Sequence, residues 1–551
     1  MFRFLTEKFN PARKQNYFNR WSVATFIIGM AVVFPLLIIF THLLKAGDHA
    51  WGHITSNLLP GYLANTLYLL LGVGFLVFLI GTSTAWLVST YRFPGSRIMV
   101  WALILPIAIP GYILGFTWVA MLDYTSPLYV YLRNNMGVET GQFLFFNILS
   151  LPGAIVILSL SLYPYVFLIA KTWFTRQSAS ISEAGASLGR STFAVFCKIV
   201  LPLARPALVG GVSLALMEVL NDYGVVSYFG VDTFTTGIFT AWFAFGSPVS
   251  AIKLSGILMF FVLLLMLTER VQRGNRRYDM VSGSHKPILK KHLSGMAGMM
   301  ALIVTTLPVL FGFLLPVAML VYWTWQTAHL VLDNRFFALV QNSFLLATIS
   351  SVVVVVAAIL IGFTIRTFPS KLTRFLARMA TLGYAIPGAV VAIGILVPFI
   401  WLDLQISTVT SGAIRMLITG TWFTLIFAYM VRFMAVGFNN VESAMEKTSH
   451  SLDEASRSLG MTNFQTLRKI VLPLIRPGIL SAALLVFIDV LKELPLTLIL
   501  RPFNFDTLAI RAFEFASDER VAEAAPASLI IILIGLIAVF LLNHTLKNNK
   551  L

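Results

Sequence analysis

Long apolar runs dominate the chain, and each approaches the roughly 20 residues an α-helix needs to cross a hydrocarbon core. They fall at 21–44, 62–90, 98–122, 150–170, 206–229 and 251–268, then at 298–326, 341–365, 379–402, 414–434, 478–500 and 526–546. This pattern predicts an all-α membrane protein with about 12 transmembrane helices. The charged residues sit between the runs. Of 40 Lys and Arg, 31 lie in 1–20, 91–97, 171–205, 269–297, 366–378, 432–477 and 547–551. The alternate connections hold six: Lys45, Arg133, Arg335, Arg501, Arg511 and Arg520. Basic connections stay on the cytoplasmic side, so both termini are expected there. The first run is longer than a signal-peptide core and has no small-residue cleavage site after it, so it reads as a retained helix.

Composition agrees with bilayer as the solvent. The chain has 551 residues, 58% hydrophobic and only 11% charged, with a mean hydropathy of +0.84. Soluble domains carry about a quarter charged residues. The net charge of +17 is explained by the basic connections rather than by nucleic-acid binding. The single cysteine, Cys197, excludes a disulfide framework within the chain and a cysteine-based metal centre. The histidines form no HExxH pair, and there is no GxxxxGK[ST] phosphate loop or nucleophile–base arrangement. We therefore expect neither an enzyme nor a resident cofactor.

The sequence repeats itself. Residues 183–206 read EAGASLGRSTFAVFCKIVLPLARP and residues 454–477 read EASRSLGMTNFQTLRKIVLPLIRP, with 14 identities in 24 positions at an offset of 271. Chance would give roughly one or two. Ile109-Pro110-Gly111 repeats as Ile386-Pro387-Gly388 at an offset of 277. The expected organisation is an N-terminal half (1–268), a basic cytoplasmic linker (269–297) and a C-terminal half (298–551). The halves form two parallel six-helix repeats with a pathway expected between them. The two Ile-Pro-Gly sites could act as hinges, but Pro and Gly are common in transmembrane helices, and no function is read into them.

Each 24-residue segment lies in a connection expected to be cytoplasmic. It reads as two short helices: Gly189 or Gly460 ends the first, and Ser191 or Thr462 caps the second. Leu201-Pro202 and Arg205-Pro206 are then expected to punctuate entry to the fifth span. The spacing resembles the EAA loop of ABC importer permeases at Glu183, Ala184, Gly189, Ile199, Leu201 and Pro202, and at Glu454, Ala455, Gly460, Ile470, Leu472 and Pro473. Gly185 and Ser456 stand where that family has a second alanine. The resemblance implies a type I ABC importer permease whose loops are coupling helices seated on a separate ATPase dimer. Residues 218–231 and 492–508 are further similar to the fused permeases of ferric-iron importers. That implies a periplasmic ferric-iron-binding protein as partner and Fe³⁺ as substrate. Thiamine permeases share the architecture, and an ion-coupled secondary transporter is the alternative from another class.

Four acids fall within the expected spans: Glu218, Asp222, Asp489 and Glu493. An acid in mid-bilayer costs roughly 2.5–3.5 kcal/mol and is a functional candidate by default. Spaced i,i+4 within each half, the pairs are expected to share one helical face. Ferric ion is a hard cation that takes oxygen ligands, so the four are candidates for a transient Fe³⁺ relay, with Tyr223 nearby.

Overall fold

The computed structural model describes residues 19–43, 45–123, 126–136, 147–176, 191–273, 290–411 and 416–548. Among them nearly every element is helical, as the apolar runs require: in lipid a helix satisfies its backbone N–H and C=O groups internally. Eleven helices are long and apolar enough to cross a membrane, or 12 if the bent pair Ser96–Ala108 and Gly111–Leu122 is one span.

That pair departs from the sequence reading. Its two helices meet at 94°, so the Ile109-Pro110-Gly111 site is a sharp break. Pro110 has no N–H to extend the 3₁₀ turn Leu105–Ala108. At ψ 142° it redirects the chain and becomes the N-cap of the helix that starts at Gly111. Pro387 repeats the device before Gly388–Val409, with φ −56° and ψ 142°.

The prolines before the fifth crossing do the opposite of what was expected. They punctuate nothing: Thr192–Asn221 and Asn463–Leu491 each run on as one span. A proline ring presses on the carbonyl four residues back, here Lys198 and Lys469. The helix answers by widening into a π-turn at Phe196–Val200 and at Leu467–Val471, closed by Leu201 N to Phe196 O and by Leu472 N to Leu467 O. Both π-turns sit at equivalent repeat positions.

Two compact units cut across the sequence halves. One comprises Met1–Leu37, Thr348–Tyr384 and Tyr429–Phe487. In it the first helix packs on helices of the second half. Trp21 meets Phe363 edge to face at 5.1 Å, and Thr364 Oγ1 donates to Trp21 O at 3.4 Å. Ser351 Oγ donates to Ala483 O at 2.7 Å.

The other unit comprises Ile38–Ala347, Ala385–Ala428 and Ile488–Leu551. In it Gly295–Val331, which opens the second half, packs on the first half: Trp118 Nε1 donates to Phe311 O at 3.0 Å. The end of the basic linker is pinned there too. Lys291-His292 pairs in parallel with Tyr91-Arg92, and Lys290 Nζ donates to Val88 O at 2.6 Å. Burial, with Arg92 beside it, holds the Lys290 ammonium below the usual lysine range.

Candidate functional site

The repeated hairpin is built in the second half as expected. Ser451–Ser458 carries Asp453 and Glu454 in its first turn, where acids favour the positive end of a helix. Gly460 closes it at φ +76°, a left-handed conformation that only glycine adopts cheaply. Thr462 then caps the next helix, accepting from Gln465 N, while Gln465 Oε1 accepts from Thr462 N at 2.9 Å. Ser456 and Thr466 hydroxyls bond at 2.7 Å and tie the two arms together. Ile470, Leu472 and Pro473 lie in and just after the π-turn.

In the first half, Glu183, Ala184 and Gly189 lie outside the described residues. Ser191 caps the second arm, accepting from Ala194 N at 3.2 Å. Ile199 lies in the equivalent π-turn, and Leu201 and Pro202 open the α-helix just after it. This arm is held by aromatic packing and by the linker. Trp86 stacks on Phe196 at 4.3 Å, Tyr91 is hydrogen-bonded to Thr192, and Lys291 Nζ donates to Thr192 Oγ1 at 3.1 Å.

The acids are not arranged as the i,i+4 spacing suggests. Each fifth-span helix ends between the members of its pair, at Asn221 and at Leu491, so the carboxylates of a pair do not share a helical face. Asp222 is already extended (ψ 128°), and its Oδ1 accepts from Val225 N and Val226 N at 2.9 and 3.2 Å. Glu493 accepts from Leu496 N at 3.0 Å. These two carboxylates cap the short helices Gly224–Tyr228 and Pro495–Leu500, which turn back after the crossing. Backbone at this point is close-packed: a Cβ on Gly224 would lie 2.5 Å from Tyr112 Cβ.

Glu218 and Asp489 stay on their helices. Asp489 pairs with Lys492 at 2.9 Å, and both Glu218 and Asp489 act electrostatically on Tyr165 of Leu151–Arg176. Among the described residues no group of three or more His, Cys, Asp or Glu is placed to hold a metal ion. His49 and His53 nevertheless stand four apart on one short helix, an HxxxH spacing that the sequence reading had taken to be absent.

Beyond the acids lies a cavity of about 870 Å³, bordered by Tyr223, Phe239, Arg501, Asp506, Phe513 and Glu514, among others. Tyr223 stacks on Phe239 at 3.7 Å, and Phe513 approaches Tyr223 at 6.0 Å. Arg501 bridges Asp506 and Glu514 at one side. The sequence reading passed over this network, although Arg501 was already isolated as one of few basic residues in its set of connections.

Apolar helices of membrane length, broken or turned back at equivalent places in the two halves, define a multi-pass membrane protein. The chain belongs to the family of binding-protein-dependent transport system inner membrane components, whose model matches residues 77–277 and 354–547. It is similar to a Fe(3+)-transport system permease protein of Haemophilus influenzae, 27% identical over 94% of this chain and 96% of the relative. A putative ferric transport system permease protein of the same organism is 25% identical over 84% of this chain and 74% of the relative. A ferric transport system permease protein of Actinobacillus pleuropneumoniae is 24% identical over 90% of this chain and 72% of the relative.

Proposed function

We propose that the chain is the permease of an ATP-driven importer that carries ferric iron, delivered by a periplasmic binding protein, into the cytoplasm by alternating access. The observation that carries this reading is the end-to-end similarity to the Haemophilus influenzae Fe(3+)-transport permease, over 94% of this chain and 96% of that one. A separate ATPase dimer grips the two hairpins. Support for this comes from their shared build: a capped second arm running without a break into the fifth span, so that a push on the hairpin moves the pathway helix. The excess of Lys and Arg in one set of connections supports a cytoplasmic side for the hairpins and both termini.

Of the four candidate relay acids, Glu218 and Asp489 have the stronger support, because both act on Tyr165 of a neighbouring span. Asp222 and Glu493 shape the re-entrant turns, each giving one carboxylate oxygen to backbone amides. The test is ATP hydrolysis by the reconstituted complex of permease, ATPase and binding protein. The expected result is stimulation by binding protein loaded with Fe³⁺ and not by the empty protein or by thiamine. Stimulation by another solute alone would overturn the iron assignment and leave the importer reading intact.

A further inference from the structure

We infer that Arg366 is a positioning residue that couples the second-half hairpin to the membrane helices, and that this device exists in one copy of the repeat only. Arg366 lies in the last turn of Asn334–Thr367. Its Nε meets Asp453 Oδ2 at 2.5 Å, in the first turn of the hairpin helix Ser451–Ser458. Its Nη1 donates to Met445 O at 2.6 Å and to Thr448 Oγ1 at 2.6 Å, and its Nη2 to Ser449 O at 2.9 Å. One guanidinium therefore joins the end of one span, the carbonyls that end Trp422–Glu446, and the hairpin's first arm. The side chains of Arg366 and Asp453 are 4% and 8% exposed, so water does not screen the pair.

The chemistry calls for arginine. Only its planar fork aims donors at a carboxylate and at several carbonyls together; a lysine ammonium is a point charge. Among the described residues Asp453 Oδ1 is buried with no hydrogen-bond partner, and the side-chain contact of its carboxylate is the one to the arginine. A pair this dry is costly to assemble and costly to split, which makes it a rigid joint rather than a sliding contact.

The first copy lacks both charges. The helix that ends at Thr367 corresponds to the one that ends at Thr90, an offset of 277, which puts Ser89 at the place of Arg366. At the hairpin offset of 271, Ser182, outside the described residues, stands at the place of Asp453. Ser89 is buried, and among the described residues its hydroxyl has no hydrogen-bond partner. Both partners change together between copies, as expected of two residues that act only as a pair.

This inference rests on the reading of the hairpins as ATPase-coupling elements. The experiment uses the complete complex in proteoliposomes and measures iron taken up per ATP hydrolysed, normalised to folded complex. Arg366→Ser should lower that ratio at least tenfold while hydrolysis continues, and Arg366→Lys should restore only part of it. The double variant Arg366→Ser with Asp453→Ser leaves no charge buried and should fold at near wild-type yield, yet stay uncoupled. If the double variant, or Arg366→Ser at normal yield, transports with the wild-type ratio, the pair is merely structural and the inference falls. If the wild-type complex itself shows no ATP-dependent uptake, the importer reading falls instead.

Discussion

The two hairpins share 14 of 24 residues and the same π-turn, yet they are fastened differently. The second is locked by a buried ion pair, Arg366 with Asp453. The described second arm of the first is held by stacked rings, Trp86 on Phe196, and by the end of the linker through Lys291 and Thr192. The difference teaches that a repeated motif specifies what a partner grips, and the surroundings of each copy specify how firmly. Buried charge is stiff and fails abruptly when split. Aromatic packing and a rim hydrogen bond yield gradually.

Four substitutions sharpen or break this contrast, in falling order of effect. Asp453→Ala strands a buried guanidinium and should destabilise the unit that holds both residues, Thr348–Tyr384 with Tyr429–Phe487, by about 3–5 kcal/mol, read as detergent-denaturation midpoints of the purified chain. A shift no larger than that of a surface mutation would break the contrast. Gly460→Val forces a β-branched residue into φ +76° and should cost about 1–2 kcal/mol, seen as faster hydrogen exchange confined to residues 451–466. Asp222→Ala removes a cap and should cost about 1 kcal/mol, whereas Asp222→Asn should leave stability nearly unchanged. Iron uptake then decides whether that carboxylate is only a cap: normal uptake by Asp222→Asn excludes it from any relay. Lys291→Ala loosens the first hairpin least, by about 0.5 kcal/mol, and loss of transport there would reverse the ranking of the two fastenings.

Much of this was legible in the sequence, and the misses have local causes. Apolar runs near membrane length and the 271-residue offset gave the spans, the repeat and the second-half hairpin, because each depends on composition or short-range spacing. The ends of the fifth spans were misjudged because Asp222 and Glu493 continue an apolar stretch at helical spacing. The signal against it was present: Glu493-Leu494-Pro495 sets an acid two residues before a proline, the signature of a new helix start. The Leu-Pro sites misled the other way, since a π-turn can absorb a proline without ending the helix. Arg366 and Asp453 are 87 residues apart, beyond any local pattern, and only a comparison of the two copies marks them as a pair.

The measurement that tests the account most directly is iron accumulation by proteoliposomes holding the permease with its ATPase and binding protein, under ATP alone and under an ion gradient alone. The account predicts accumulation with ATP and loaded binding protein, abolished by vanadate, and none driven by the gradient. Accumulation driven by the gradient without ATP would contradict it and make the chain an ion-coupled transporter.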